Sequence, residues 1–305
     1  MERCRFFITR AQTGGFCWGV KHALGRAREL RKEQEADIEV WGELVHNQHV
    51  VEGLRQEGIR RISDLGESEG NILLITAHGR SPEDTARARK IAERVEDLTC
   101  PIVKRQHRAA RKLQEEGRKM ILIGVRTHAH PEVQGTVGVL RGEVIVIESL
   151  RDIELVPYDP SEPVGIVAQT TFNGMLVSEI VDLIRMRYRD TKYIPTVCDD
   201  IARKQEELRS SPALGCNMVV VVGDRKSANT THLAEIAAGT LNLPTLFVLD
   251  ARELEGMLER DPALLEHVPH VFVTAGASTP DDTIGEVITL LENLGGILDE
   301  RAAFA

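Results

Sequence analysis

Three cysteines in this 305-residue chain stand where a strand-like run gives way to a helical pattern: Cys17 in GGFCWGV, Cys100 in TCPIV and Cys198 in VCDDIARKQ. They lie 83 and 98 residues apart, and polar residues follow each of them at matching offsets. His46 in GELVHN comes 29 residues after Cys17, His130 in HAHPEVQGT 30 after Cys100, and Asn229 in SANTTHLAE 31 after Cys198. A looser second set comprises His78, 61 residues after Cys17, Thr170, 70 after Cys100, and Ser278, 80 after Cys198. One α/β plan is thus written three times. Packed around a pseudo-threefold axis, each copy would bring one cysteine and two sets of polar side chains to a common centre.

Three converging thiolates suit a metal. Zinc accepts thiolate and imidazole ligands, but structural zinc sites draw on close Cys-x-x-Cys pairs, which this chain lacks. An iron–sulfur cluster fits better, because soft thiolates suit it and widely spaced donors can cap a large cube. Taken singly, any of these cysteines reads as a small buried hydrophobe, and Cys4 and Cys216, which fall outside the repeat, keep that reading. Ser227, Asn229 and Ser278 read equally as helix caps, a role compatible with holding an anion at the same helix end. His22, His107 and His128 read as packing or surface residues. A nucleophilic enzyme built on Cys100 would need one activated thiol with a base beside it. A non-catalytic phosphate-binding or iron-sensing protein would need the cysteines but no catalytic residues beside them.

The elements that must position these residues are short apolar runs alternating with helical patterns. RFFIT, DIEVWGEL, NILLITAHG, KMILIGV, EVIVIES, PVGIVAQTT, MVVVVGD, TLFVLD and HVFVTAGAS read as strands. PEDTARARKIAERV and VKRQHRAARKLQEEG read as amphipathic helices, and YDPSEP as loop. This alternation predicts an α/β protein with parallel sheets. Many strands end in a small or polar tail, where open α/β sheets bind ligands. A formal charge of −9 argues against a nucleic-acid partner. The absence of an apolar leader or an 18-residue apolar run, with five sparsely placed cysteines, predicts a cytoplasmic protein with no membrane span.

GFCWGV, GELVHN, TAHG, TCPIV, HPEVQGT, AQTT, SANTTHLAE and TAGASTP, in that order between about residues 14 and 290, resemble the motif series of the LytB/IspH family of 4-hydroxy-3-methylbut-2-enyl diphosphate reductases. The resemblance implies three α/β domains in a trefoil around a central [4Fe-4S] cluster, with domains at 12–98 plus a C-terminal segment 286–305, at 99–196 and at 197–285. It implies reductive dehydroxylation of the allylic diphosphate to isopentenyl and dimethylallyl diphosphates, with electrons from a carrier such as ferredoxin or flavodoxin. By position, Cys17, Cys100 and Cys198 match the cluster ligands, leaving one iron open. His46, His78, His130, Thr170, Ser227, Asn229 and Ser278 match the substrate-binding positions. Glu132 matches the proton-delivering carboxylate, Thr170 its hydroxyl partner, and His130 would tune that carboxylate.

The chain departs from the family pattern at four places. Ala228 stands where a second serine is usual, Ile201 where a threonine is common, and Trp18 where a small residue is frequent. The loop before His130 is longer than usual. These changes raise the alternative of a paralogue that reduces a different substrate.

Overall fold

The computed structural model describes residues 5–34, 36–69, 72–126 and 130–299. Cys4, residues 127–129 with His128, and residues 300–305 lie outside the described residues.

Strands rich in Val, Ile and Leu alternate with helices, and every strand pairs in parallel with its neighbours, forming three sheets. The first runs Ile59–Ile62, Ile38–Trp41, Ile72–Ile75, Arg94–Asp97. The second runs Val144–Ile147, Lys119–Ile123, Val164–Ala168, Thr191–Tyr193. Counted along the chain, both orders read second, first, third, fourth. The third sheet repeats the scheme as Thr245–Val248, Met218–Val222, His270–Ala275, Phe6–Arg10 and adds Gly296–Leu298 at its edge. Phe6–Arg10 opens the chain yet fills the fourth place.

This order fixes where a site can form. In each sheet the chain leaves the first and third strands toward opposite sides, so their carboxyl ends bound a topological switch point. The central strands are apolar along their whole length, as in Met218–Val222 and Val164–Ala168, because both faces are covered.

Contacts group the described chain into two compact units. One comprises the N-terminal segment through Cys17, His46–Gln48, and the chain from Asp199 onward; the other comprises Trp18–Val45 and His49–Cys198. The first unit centres on Ile8, Met218, Val220, Val222, Val271 and Val273, against which Ile284, Val287, Ile288 and Leu291 pack from helix Asp281–Asn293. The C-terminal segment therefore departs from the expected domain plan. Those helix positions fill the core of the third sheet, and Gly296–Leu298 hydrogen-bonds to Phe6–Arg10, so residues 286–299 join the sheet of residues 218–275 and not the domain at 12–98. Among the described residues, no helix is long and apolar enough to cross a membrane.

Candidate active site

The polar residues singled out by spacing sit beyond the first and third strands of their sheets. In the unit spanning Trp18–Val45 and His49–Cys198, His78 follows Ile72–Ile75, His130 and Glu132 follow Lys119–Ile123, and Thr170 follows Val164–Ala168. His130 is the residue before helix Pro131–Gly138, whose Pro131 is suited to the first helical position. Glu132 lies in the first turn, 1% exposed. Its Oε1 accepts from the Thr170 N–H at 2.6 Å and its Oε2 from the Thr170 hydroxyl at 3.0 Å. Burial pushes this carboxyl up to about 7, outweighing the two hydrogen bonds from Thr170 that pull it down. A carboxylic acid that changes protonation near neutrality is equipped to hand over a proton. Thr170 also ties the pair to a candidate ligand, since its carbonyl accepts from the Cys198 N–H at 2.9 Å.

The rings of His78 and His130 meet edge to face with centroids 5.9 Å apart. Gln169, fully buried, places its Nε2 3.3 Å from His130 Nε2, donates to the Thr171 hydroxyl at 3.0 Å, and accepts from the Val125 N–H at 3.0 Å. The motif AQTT gives Gln169 no role in the sequence, because an amide after an apolar strand carries no sign of its burial.

In the other unit, Ser278 follows His270–Ala275 and donates its hydroxyl to the His46 carbonyl at 2.9 Å. Ser227 caps helix Ala228–Glu235, accepting from the Thr230 N–H. Asn229, in the first turn, is 2% exposed, yet neither its Oδ1 nor its Nδ2 has a hydrogen-bond partner. An amide buried without a partner is costly unless something else supplies one. Beside a helix N-terminus, an oxygen-rich anion fits that gap, and a diphosphate is such an anion.

The three cysteines occupy equivalent places. Each follows the fourth strand of a sheet and is the residue immediately before a helix: Trp18–Glu33, Pro101–Glu115 and Asp199–Ser210. Each donates its N–H to a carbonyl in the loop after the third strand: Cys17 to Ala277 at 3.1 Å, Cys100 to Ala77 at 3.0 Å, Cys198 to Thr170 at 2.9 Å. These bonds correct the register of the second polar set. The turns starting at Thr76, Gln169 and Gly276 close with the same i to i+3 bond, so Thr170 is equivalent to Ala77 and Ala277, while Thr171 stands where the other repeats have His78 and Ser278. The uneven offsets hid a one-residue shift.

All three lie outside any disulfide and are of intermediate exposure. Burial raises the Cys100 thiol, the N–H groups of Ile102 and Val103 oppose this, and the charges of Cys198 and Glu132 add to the rise. Cys216 is different: it is buried and pushed up to about 11, a thiol kept neutral in the core. Partly exposed thiols at helix N-termini, where free N–H groups favour thiolate, fit the sulfur donors an iron–sulfur cluster needs. Among the described residues, no group of three or more His, Cys, Asp or Glu forms a site for a lone metal ion.

The other sequence readings also find their places. His107 is buried and its ring is pushed down to about 4 by burial, so it packs as a neutral side chain. His22 stacks on Trp18, which is 62% exposed. Ile201 is buried, and Ala228 is half-buried at the start of its helix.

Fold and site together define an α/β repeat protein in which each unit offers thiols and polar residues at strand ends, and the unit that contains Glu132 adds a buried acid. Comparison with known proteins gives that class a family. The sequence matches the family described as LytB protein over residues 8–292, and the chain belongs to it. A protein from Aquifex aeolicus (strain VF5) named 4-hydroxy-3-methylbut-2-enyl diphosphate reductase is 35% identical over 291 residues, covering 94% of this chain and 96% of its own. One of the same name from Symbiobacterium thermophilum is 32% identical over 296 residues, covering 94% and 97%. Among solved structures, the E-1-hydroxy-2-methyl-but-2-enyl-4-diphosphate reductase of Plasmodium falciparum superposes with a TM-score of 0.88 at 26% identity, covering 97% of this chain and 92% of its own. A second, described as (E)-4-hydroxy-3-methyl-but-2-enyl diphosphate reductase, the terminal enzyme of the non-mevalonate pathway, gives 0.65 at 35% identity, covering 95% and 99%.

Proposed function

We infer that the protein reductively removes the hydroxyl of 4-hydroxy-3-methylbut-2-enyl diphosphate, giving isopentenyl and dimethylallyl diphosphates. Overall, two electrons and two protons enter and the C–O bond breaks with loss of water. The observation that carries this reading is the buried Glu132 carboxyl, held by both donors of Thr170 in a chain of the LytB family. The relatives named above bear one activity, which disfavours the paralogue alternative.

In this reading Cys17, Cys100 and Cys198 would hold one [4Fe-4S] cluster through their three thiolates. When bound, the cluster supplies the electrons and a Lewis-acidic iron. The chain's own residues do the rest. His46, His78, His130, Ser227, Asn229 and Ser278 bind the diphosphate with imidazoles, hydroxyls and an amide in place of a basic surface. Glu132 holds the proton needed at the departing oxygen, Thr170 orients the carboxyl, and His130, itself placed by Gln169, tunes it.

The repeat gives three α/β domains at 12–98, 99–196 and 197–285, the C-terminal segment now assigned to the last. A small electron carrier such as ferredoxin or flavodoxin is the partner, and the reducing cytoplasm, where thiols stay free, is the compartment. The test is an anaerobic turnover assay with a strong artificial reductant and the hydroxylated C5 diphosphate. The two isomeric products are expected; cluster-loaded protein that leaves the substrate untouched would refute the assignment.

A further inference from the structure

The segment that leads into Cys17 has no regular structure from Gln12 to Gly15, so its backbone polar groups need partners from elsewhere. One helix, Asp199–Ser210, supplies them with two charged side chains that the reaction does not use. Glu207, 8% exposed, accepts from the Gln12 N–H at 2.5 Å and the Thr13 N–H at 2.9 Å, and also from the Thr13 hydroxyl. One turn earlier, Lys204, 2% exposed, donates its ammonium to the Gly15 carbonyl at 3.0 Å. Gly15 has a φ of +92°, and a Cβ there would lie 2.7 Å from Asp281 Oδ1, so the loop has little room to take another path.

We propose that Lys204 and Glu207 are positioning residues for the Cys17 thiolate: together they clamp the loop two residues before it and place a buried positive charge beside it. This rests on the reading of Cys17 as a cluster ligand. The Lys204 ammonium makes one short hydrogen bond, and its nearest carboxylate oxygen, Asp200 Oδ2, is 3.9 Å away. The Cys17 sulfur, two residues beyond Gly15, is among the negative groups close enough to act on this ammonium. Burial lowers the ammonium pKa, while Asp200, Cys17, Glu207 and Asp281 oppose that shift. The helix carrying the clamp begins at Asp199, the residue after Cys198.

Stability alone does not account for a lysine here. Replacing buried ionic groups with apolar side chains of similar size is often neutral or stabilising provided no close partner charge is left buried and unpaired, and the carboxylate oxygen nearest this ammonium is 3.9 Å away. Position and charge near the thiolate would be lost by that change while the fold survives, which makes the two roles separable. The experiment compares Lys204→Met, Lys204→Arg and Cys17→Ser with native protein, all reconstituted anaerobically, by bound iron, lifetime of the cluster absorbance in air, midpoint potential and melting temperature. Lys204→Met is expected to melt with native protein but to lose its cluster several-fold faster and to shift to a more negative potential, because a nearby positive charge favours the added electron. Lys204→Arg, which keeps charge and donor, should restore both. Cluster lifetime and potential unchanged in Lys204→Met, with iron lost in Cys17→Ser, would overturn the clamp alone. Full iron in Cys17→Ser would overturn the ligand reading beneath it.

Discussion

In the proposed function, the residue on which most of the chemistry turns is Glu132. Its carboxyl is pushed from 4.5 to about 7 by burial, so the folded chain favours the protonated acid. Its contribution to stability is therefore fully present below pH 4.5 and is lost as pH rises through about 7. Native protein should gain in melting temperature over Glu132→Gln as pH falls from neutrality, and a difference that does not vary with pH would contradict the raised value. Turnover should fall above neutrality as the acid ionises. In Glu132→Gln it should drop by about 10² to 10⁴ with cluster content intact. A hydroxyl donating to a charged oxygen contributes about 1.5 to 3 kcal/mol, so Ala228→Ser should lower the KM for the diphosphate about ten-fold. An unchanged or higher KM would show that position 228 does not face the anion. At this scale the sequence was legible where a residue type has few other uses, as with Glu132 in HPEV. Gln169, Lys204 and Glu207 were not legible. Their charge or polarity signals a solvated face, and only the fold shows them buried against backbone groups.

Among the elements, apolar strands could be read, the edge strands Val144–Ile147 and Thr245–Val248 included, and polar edge strands could not. MVVVVGD and NILLITAHG announce strands because both faces are buried. Ile59–Ile62, Arg94–Asp97 and Thr191–Tyr193, at sheet edges with charged or polar side chains, carry no such pattern. The expected helix over 82–95 stops at Ile91, and Arg94–Asp97 becomes the fourth strand that delivers Cys100. How closely two elements approach is also invisible in a one-dimensional pattern. Gly276, after His270–Ala275, faces helix Ala228–Glu235 so tightly that a Cβ would lie 1.9 Å from Thr230 Oγ1. Gly276→Ala should destabilise the protein by about 1 to 3 kcal/mol through overpacking and, by pushing the first turn of the helix, displace Asn229. A lowered melting temperature and weaker binding of inorganic pyrophosphate are the readouts. Adding Thr230→Ala should recover most of the loss, whereas a native melt for Gly276→Ala would mean that the two elements have room to spare.

For the whole molecule, the repeat explains why so few residues disclosed so much. Three sheets share one strand order, and in each a cysteine follows the fourth strand, with its N–H bound to the turn after the third. Spacing alone placed the cysteines and the first polar set at equivalent positions of the three sheets, because similar lengths of strand and helix separate them in each repeat. It misplaced the second set by one residue and the C-terminal segment by one sheet, because loop lengths differ between repeats and strand neighbours are set by packing. Every part of the account depends on those three thiols acting as one set. The decisive measurement is bound iron and acid-labile sulfide after anaerobic purification of five single variants. Cys17→Ser, Cys100→Ser and Cys198→Ser should each lose most of both, while Cys4→Ser and Cys216→Ser keep the native content; equal loss across all five, or full retention in any of the first three, would contradict it.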